Sequence, residues 1–197
     1  MNILRHPPRK VLRAAGTAVV LALVLPVMLS GITHSVLLRD PKMNAKRFAS
    51  YFEDFQYEFH SEVQPVDDFL EYQKGDCDDY AILADEVLRR RNFDTMLVHI
   101  RLAGTVAHAV CYVEQNRAYL DYNNRKVFFT LSRSSSSPRD IATRVADSLE
   151  ANWTSVSVFT YSYETGQKQM LRTIVKTDPP ERDNEPGKPP ASRLLVQ

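Results

Sequence analysis

The hydrophobic period of this chain changes from about 3.6 to 2 after residue 91, and this change constrains the fold most strongly. Between Cys77 and Arg91, apolar side chains such as Leu83 and Val87 recur at the spacing of one helix face. Between residues 96 and 102, apolar and polar residues alternate, which is typical of a strand. A helix followed directly by strands indicates an α+β domain.

The rest of the chain extends this pattern into an antiparallel sheet. Further strands are predicted over residues 105–113, 118–122, 153–161 and 168–176, and further helices over residues 41–55, 66–72 and 138–150. The last two strands form a hairpin around Gly166. We expect helices and sheet in segregated layers, with the helix that begins at Cys77 packed on the sheet.

The charge of the chain is divided unevenly, and the division argues against nucleic acid as a partner. Residues 1–39 contain five Lys or Arg residues and no acidic residue. From residue 40 onward, 20 basic residues stand against 24 acidic ones, so the net charge of this part is −4. A nucleic-acid-binding surface needs basic residues interleaved with aromatic ones, and the sequence shows no such pattern there.

The N-terminal segment has the pattern of an export signal or a membrane anchor. Four basic residues, Arg5, Arg9, Lys10 and Arg13, precede an apolar run over residues 14–32. The run is close to the roughly 20 residues that span a bilayer, and its basic flank stays in the cytoplasm. Because no Ala-x-Ala cleavage site follows, we predict a membrane anchor, with the remainder on the periplasmic side; cleavage of the leader would instead give an exported protein.

These patterns divide the chain into three parts. Residues 1–40 form the predicted signal or anchor, and residues 41–177 form the folded domain. Residues 178–197 form a tail in which prolines and charges dominate without periodicity, and this composition predicts disorder.

Cys77 stands where a functional cysteine is expected. It follows Gly75 and is flanked by Asp76, Asp78 and Asp79, which is not the surrounding of a core cysteine. The first turn of a helix also lowers the cost of a thiolate, because its free N–H groups and dipole favour negative charge.

A histidine and a carboxylate follow Cys77 in the order expected for a nucleophile, its base and the orienter of that base. His108 lies between alanines in an apolar strand, where a buried imidazole needs a partner, whereas His99 is expected at the surface. We expect Asp121 to accept a hydrogen bond from Nδ1–H of His108, with Asn123 as the fallback if Asp121 serves only a turn. The set Cys77, His108 and Asp121 indicates acyl-transfer chemistry.

Such chemistry also needs donors that stabilise an oxyanion. The backbone N–H of Cys77 is the natural first donor. Gln56, Tyr57 and Gln73 are candidates for the second, and the sequence does not choose among them.

The second cysteine is predicted to be a small buried apolar residue. Cys111 follows His108 by three residues on one strand, so the two side chains point to opposite faces. If His108 faces Cys77, then Cys111 does not, and we expect no disulfide between the cysteines.

These residues carry a resemblance to a known family. The stretch Gly75–Ala81 (GDCDDYA), the strand of His108 and the pair Leu120-Asp121 resemble the Cys, His and Asp motifs of the transglutaminase-like superfamily, over roughly residues 42–125. The acidic form of the cysteine motif most resembles the bacterial transglutaminase-like cysteine proteinases. The resemblance implies a periplasmic enzyme with a papain-like fold. It also implies that Cys77 is the nucleophile, His108 its base and Asp121 the residue that orients His108.

The acidic residues beside Cys77 raise the question of a metal. Their charge opposes a thiolate, and the helix dipole, a His108 imidazolium or a bound hard cation would each relieve this. The resemblance implies that Asp76 and Asp78 occupy positions that bind calcium in adhesin-cleaving members. The chemistry itself requires no cofactor.

The sequence thus predicts an extracytoplasmic cysteine hydrolase that cleaves a peptide or amide bond in a protein or peptide of the cell envelope. Transfer of the acyl group to an amine, as in a transglutaminase, is the first alternative. A non-catalytic scaffold that binds an envelope partner through the same cleft is the second.

Overall fold

Residues 31–104, 107–127 and 132–177 are the part of the chain that the computed structural model describes. In chain order its helices and strands are α1 (His34–Arg39), α2 (Ala45–Ser50), β1 (Gln56–Tyr57), α3 (Val66–Tyr72), β2 (Lys74–Gly75), α4 (Cys77–Arg89), β3 (Thr95–Leu102), β4 (His108–Val113), β5 (Ala118–Leu120), β6 (Ser132–Arg133), α5 (Pro138–Ser148), β7 (Trp153–Ser162) and β8 (Gln167–Val175). Two 3₁₀ helices, Glu114–Asn116 and Tyr122–Val127, follow β4 and β5.

Six strands form one antiparallel sheet in the order β6-β5-β4-β3-β7-β8. Each pair of neighbours in this sheet runs antiparallel, which confirms the predicted sheet. The predicted hairpin joins β7 to β8 through Gly166, whose φ of 65° suits a residue without a Cβ. The backbone N–H of Gly166 closes this turn by donating to the carbonyl of Ser162 at 2.8 Å. Strands β1 and β2 form a separate parallel pair, which the sequence did not predict.

Helices cover both faces of the sheet. Leu97 and Cys111 belong to the core under α4, whereas their neighbours Val98 and Val110 belong to the core under α5. Because adjacent residues of a strand point to opposite faces, α4 and α5 pack on opposite sides. The expectation of segregated layers is therefore wrong for α5.

Helix α4 is the central element of the larger core. Its buried apolar residues are Tyr80, Ala81, Ile82, Leu83, Ala84, Val87 and Leu88. Full burial of each Leu, Ile or Val contributes about 1.5–3 kcal/mol. This packing fixes the helix on β3 and β4 and so fixes the position of its first residue.

An aromatic cluster anchors the segment before α4. Phe48 and Phe52 contact Tyr80 of α4, and Phe52 also stacks on Phe69 of α3. Helix α2 is shorter than the predicted helix over residues 41–55. It starts later because the Asn44 side chain caps it by accepting a bond from the N–H of Arg47 at 3.0 Å, and it ends at Ser50.

The folded domain starts before residue 41. Helix α1 lies within the segment predicted as signal or anchor, and its Leu37 is fully buried in the core. The remainder of that segment, residues 1–30, and the predicted tail, residues 178–197, lie outside the described residues. Within the described ranges, no helix has the length and apolarity needed to cross a membrane.

Candidate active site

Helix α4 begins at Cys77, two residues after Gly75, which no larger residue can replace without movement. A Cβ on Gly75 would lie 2.5 Å from Cδ2 of Phe69 and 2.7 Å from Oδ2 of Asp79. The missing side chain therefore lets strand β2 approach α3 closely and leads the chain into α4 at Cys77.

Asp76 caps the helix and leaves the N–H of Cys77 out of the cap. Its Oδ1 accepts bonds from the N–H of Asp78 at 2.9 Å and from that of Asp79 at 3.4 Å. The Asp79 carboxylate in return accepts a bond from the N–H of Asp76 at 3.0 Å, which completes a capping box. The N–H of Cys77 is not part of this box and remains one of the N–H groups at the helix N-terminus that a helix leaves without an internal partner.

The two buried carboxylates also hold the preceding loop. Asp79 accepts bonds from the backbone N–H and the Nε2 of Gln64, each at 2.8 Å. Oδ2 of Asp76 accepts a bond from the N–H of His60 at 3.1 Å. Burial is the largest influence on Asp76 and raises the pKa of its carboxyl. These bonds fix the loop that follows Tyr57.

His108 and Asp121 are joined by a hydrogen bond at the ends of neighbouring strands. The distance between Nε2 of His108 and Oδ1 of Asp121 is 2.9 Å, and both side chains are buried. The same carboxylate oxygen accepts a bond from the N–H of Asn123 at 2.9 Å. Our expectation that Asp121 binds Nδ1 is wrong, because the start of β4 turns the other ring nitrogen toward it.

The imidazole of His108 also interacts with Cys77, and both residues line the same cavity. Since Nε2 is taken by Asp121, Nδ1 is the nitrogen left for the thiol. Burial lowers the pKa of His108, but the hydrogen bonds to Asp121 and Cys77, together with their charges, outweigh this and raise it to about 10. The geometry therefore favours an imidazolium beside the sulfur of Cys77.

Polar groups are buried mainly in this region. Among the described residues, the buried polar or charged side chains are Asp76, Asp79, His108, Asp121, Ser134 and Ser157. Four of these six lie at the start of α4 or beside Cys77. Because burying such groups costs free energy unless they are paired, their concentration makes the region the candidate functional site.

A cavity of about 370 Å³ opens beside the thiol. Its lining residues are Tyr57, Cys77, Leu102, Ala107, His108, Asn123, Leu149 and Ala151. The lining thus combines apolar side chains with the sulfur and the imidazole. A chain segment with an apolar side chain fits such a cavity.

The candidate oxyanion donors, together with Asn123 as the candidate support residue, fall into two groups by position. Tyr57 and Asn123 line the cavity, whereas Gln56 and Gln73 do not. The backbone N–H of Gln56 donates to the carbonyl of Gln73 at 2.8 Å in the β1–β2 pair, and both side chains are exposed. The carbonyl of Gln56 accepts a bond from the Tyr122 hydroxyl at 2.7 Å, which ties β1 to the turn after Asp121.

The carboxylates that the resemblance assigned to calcium do not fit a calcium site. Both oxygens of Asp76 accept backbone N–H groups, and Oδ2 of Asp78 pairs with Nζ of Lys168 at 2.9 Å. Calcium requires six to eight oxygen ligands. In the described ranges, no group of three or more His, Cys, Asp or Glu side chains is arranged to hold a metal ion.

The other cysteine and histidine of the sheet lie in different surroundings. Cys111 is a fully buried free thiol, and burial raises its pKa well above the usual value. Asp85 and Arg89 are the charged groups that reach it, and they lie about two and about three turns of α4 beyond Cys77. His99 is half-buried against Phe159, so its predicted place at the surface is wrong.

Lys168 is not among the site residues predicted from the sequence, although it contacts Asp78 beside Cys77. Its ion pair with Asp78 joins β8 to the first turn of α4 across 90 residues of sequence. No local pattern signals such a contact, because the register of a hairpin and the position of a helix determine it together.

One comparison with known proteins finds a match, which is to a family model. A family model described as a transglutaminase-like domain matches residues 36–133, about half of the 197-residue chain. The matched range contains Cys77, His108 and Asp121 and ends before α5, β7 and β8. No curated protein matches the chain.

Proposed function

This chain belongs to the transglutaminase-like superfamily through residues 36–133, and we propose that it is a cysteine-dependent hydrolase that cleaves a peptide or amide bond. One observation carries the proposal: His108 is hydrogen-bonded to Asp121 and lines a single cavity together with Cys77, the first residue of a helix. A nucleophile, a base and an orienter in this order support acyl transfer.

The first half of the reaction forms an acyl-enzyme. With His108 as an imidazolium, Cys77 reacts as a thiolate, which attacks the carbonyl carbon of the substrate. The N–H of Cys77 donates to the developing oxyanion. The imidazolium of His108 then protonates the leaving amine as its bond to the carbonyl carbon breaks.

The second half releases the acyl group. Neutral His108 accepts a proton from a water molecule, whose oxygen attacks the thioester carbonyl. The thioester bond breaks, a carboxylic acid leaves, and the proton that His108 took from water stays on the ring, which restores the thiolate and the imidazolium. Asp121 keeps the ring oriented through both halves and stabilises its charged form.

Substrate class and location are part of the same proposal. The predicted N-terminal anchor supports a position on the outer side of the cytoplasmic membrane. The substrate is then a protein or peptide of the cell envelope that presents an extended segment to the cavity.

Digestion of a peptide mixture in water enriched in ¹⁸O tests the chemistry. The full-length chain is incubated with the peptides and an aminoalkyl biotin, and the products are analysed by mass spectrometry. Hydrolysis predicts new carboxyl termini that carry ¹⁸O. Amine transfer instead predicts biotin on a glutamine or on a new terminus.

The matched variants decide whether Cys77 is responsible. Cys77→Ala should abolish product formation, while Cys111→Ala should leave it intact, because Cys111 is buried away from the cavity. Product formation that survives Cys77→Ala would contradict the proposal. Full function of Cys77→Ala in cells would favour the non-catalytic scaffold.

A further inference from the structure

Lys168 of β8 reaches the first turn of α4 and pairs with Asp78 there. Its Nζ lies 2.9 Å from Oδ2 of Asp78, and each side chain is only about a quarter exposed. The same Nζ lies 4.8 Å from the centre of the Phe159 ring, so the lysine is held by an aromatic face as well. This contact is more fixed than an ordinary surface ion pair.

Asp78 differs from the two other carboxylates at the helix start. Asp76 and Asp79 each accept three hydrogen bonds from the chain, two or more of them from backbone N–H groups. Lys168 supplies the hydrogen bond to Oδ2 of Asp78, while Oδ1 of Asp78 has no partner among the described residues. Lys168 is therefore the group that balances the charge of Asp78.

That charge lies next to the thiol. Asp78 follows Cys77 directly, and an unbalanced carboxylate at this distance disfavours a thiolate. The negative charge at this place also affects Tyr57. The pKa of the Tyr57 hydroxyl is raised, mainly by burial and further by the charges of Cys77, Asp76 and Asp78. A cation on Asp78 reduces this local excess of negative charge.

The ionisable groups around the thiol come from every neighbouring element. Those that act on Cys77 or on the carboxylates beside it are His108 on β4, Asp121 after β5, Tyr57 on β1, His99 on β3, Tyr161 on β7, Lys168 on β8, and Asp76, Asp78 and Asp79 at the start of α4. Burial and then the charge of Lys168 lower the pKa of His99. His99 is therefore neutral near pH 7 and does not replace Lys168 as the counter-charge.

We propose that Lys168 is a positioning residue for the reaction: by neutralising Asp78 it lets the start of α4 hold a thiolate on Cys77. The inference rests on the proposed role of Cys77 as nucleophile. Since β8 lies beyond the matched residues 36–133, it also assigns the β7–β8 hairpin a part in the active site.

Alkylation of Cys77 by iodoacetamide, measured as a rate against pH, tests this. Mass spectrometry follows the two cysteines separately in the full-length chain. Lys168→Met removes the charge but keeps an aliphatic chain on Phe159, and should move the midpoint upward by roughly 0.5–1 pH unit. Lys168→Arg should keep the midpoint near that of the unchanged protein.

Two further variants separate charge from structure. Asp78→Asn should move the midpoint downward, and in the double variant with Lys168→Met it should bring the midpoint back near its original value. Lys176→Met is the matched control, because Lys176 follows β8 and lies over Trp153 instead. Asp78→Asn alone tests the proposal if Lys168→Met does not fold.

The outcomes distinguish the inference from the function on which it rests. If Cys77 reacts faster than Cys111 but Lys168→Met leaves its curve unchanged, the inference is wrong and the proposed function stands. A shift that Asp78→Asn fails to reverse would also overturn the inference. If Cys77 reacts no faster than Cys111 at any pH, the proposed function itself fails.

Discussion

His108 and Asp121 lie 13 residues apart in sequence, and a bond of 2.9 Å joins their side chains in the core. A buried ionic pair of this kind is stable only when further partners complete it. Here the imidazole also interacts with Cys77, and Oδ1 of the carboxylate also accepts the N–H of Asn123, while Oδ2 has no hydrogen-bond partner among the described residues. The pair therefore orients the ring toward the thiol.

The charge state of His108 is the first prediction. Its pKa is raised to about 10, so the ring should stay an imidazolium from below pH 6.5 up to that pH and lose its proton above it. His99 should behave in the opposite way, because burial and the charge of Lys168 lower its pKa. NMR titration of the two rings measures both. A His108 that is neutral at pH 7.5 would contradict the prediction.

Asp121→Ala should fold but weaken activity. The change leaves Nε2 of His108 without its acceptor, so the ring loses its orientation but keeps its place beside Cys77. We expect a loss of about 10²-fold in kcat/KM, at the lower end of the range for acid–base catalysis. Asp121→Asn is the matched control for packing. Activity equal to that of the unchanged protein in both variants would show that Asp121 only stabilises the turn that follows it.

Gly75→Ala should destabilise the domain. The new Cβ meets the Phe69 ring and the Asp79 carboxylate at less than 3 Å, and such overpacking costs about 1–3 kcal/mol. Thermal unfolding should show a lower Tm, and alkylation of Cys77 should slow as the start of α4 shifts. Gly31→Ala is the control, since a Cβ there meets nothing within 4 Å. Equal Tm values for the two variants would contradict the packing argument.

Calcium should have no effect. Asp76 caps α4 and Asp78 pairs with Lys168, so neither calcium nor EDTA should change the Tm or the alkylation rate of Cys77. Asp76→Ala should lower stability by about 0.5–2 kcal/mol, with or without calcium, because it removes the helix cap. The structural role of Asp76 would be contradicted if calcium raised the Tm of the unchanged protein but not that of Asp76→Ala.

The sequence predicts the elements that have a regular period. The stripe of Leu83 and Val87 in α4 and the alternation along β3 are local patterns, and the helix and strand follow from them. Strands β1 and β2 have two residues each, which is too short for any period to appear. The side of the sheet on which α5 packs is likewise a property of the complete fold.

In the candidate site too, the residue types can be predicted from local sequence, whereas the contacts between them depend on the complete fold. Cys77, His108 and Asp121 stand out because their residue types are unusual for their surroundings. The ring nitrogen that faces Asp121 depends on how β4 starts, and the partner of Asp78 depends on the register of β8. Neither can be read from a local stretch of sequence.

The most direct test of the account is the alkylation rate of Cys77 against pH in the unchanged protein and in His108→Ala. The account predicts that the curve moves to higher pH in His108→Ala, because no imidazolium stabilises the thiolate. Turnover should fall by more than about 10⁴-fold, since the nucleophile loses its activation together with its acid–base partner. Two superimposable curves would contradict the account.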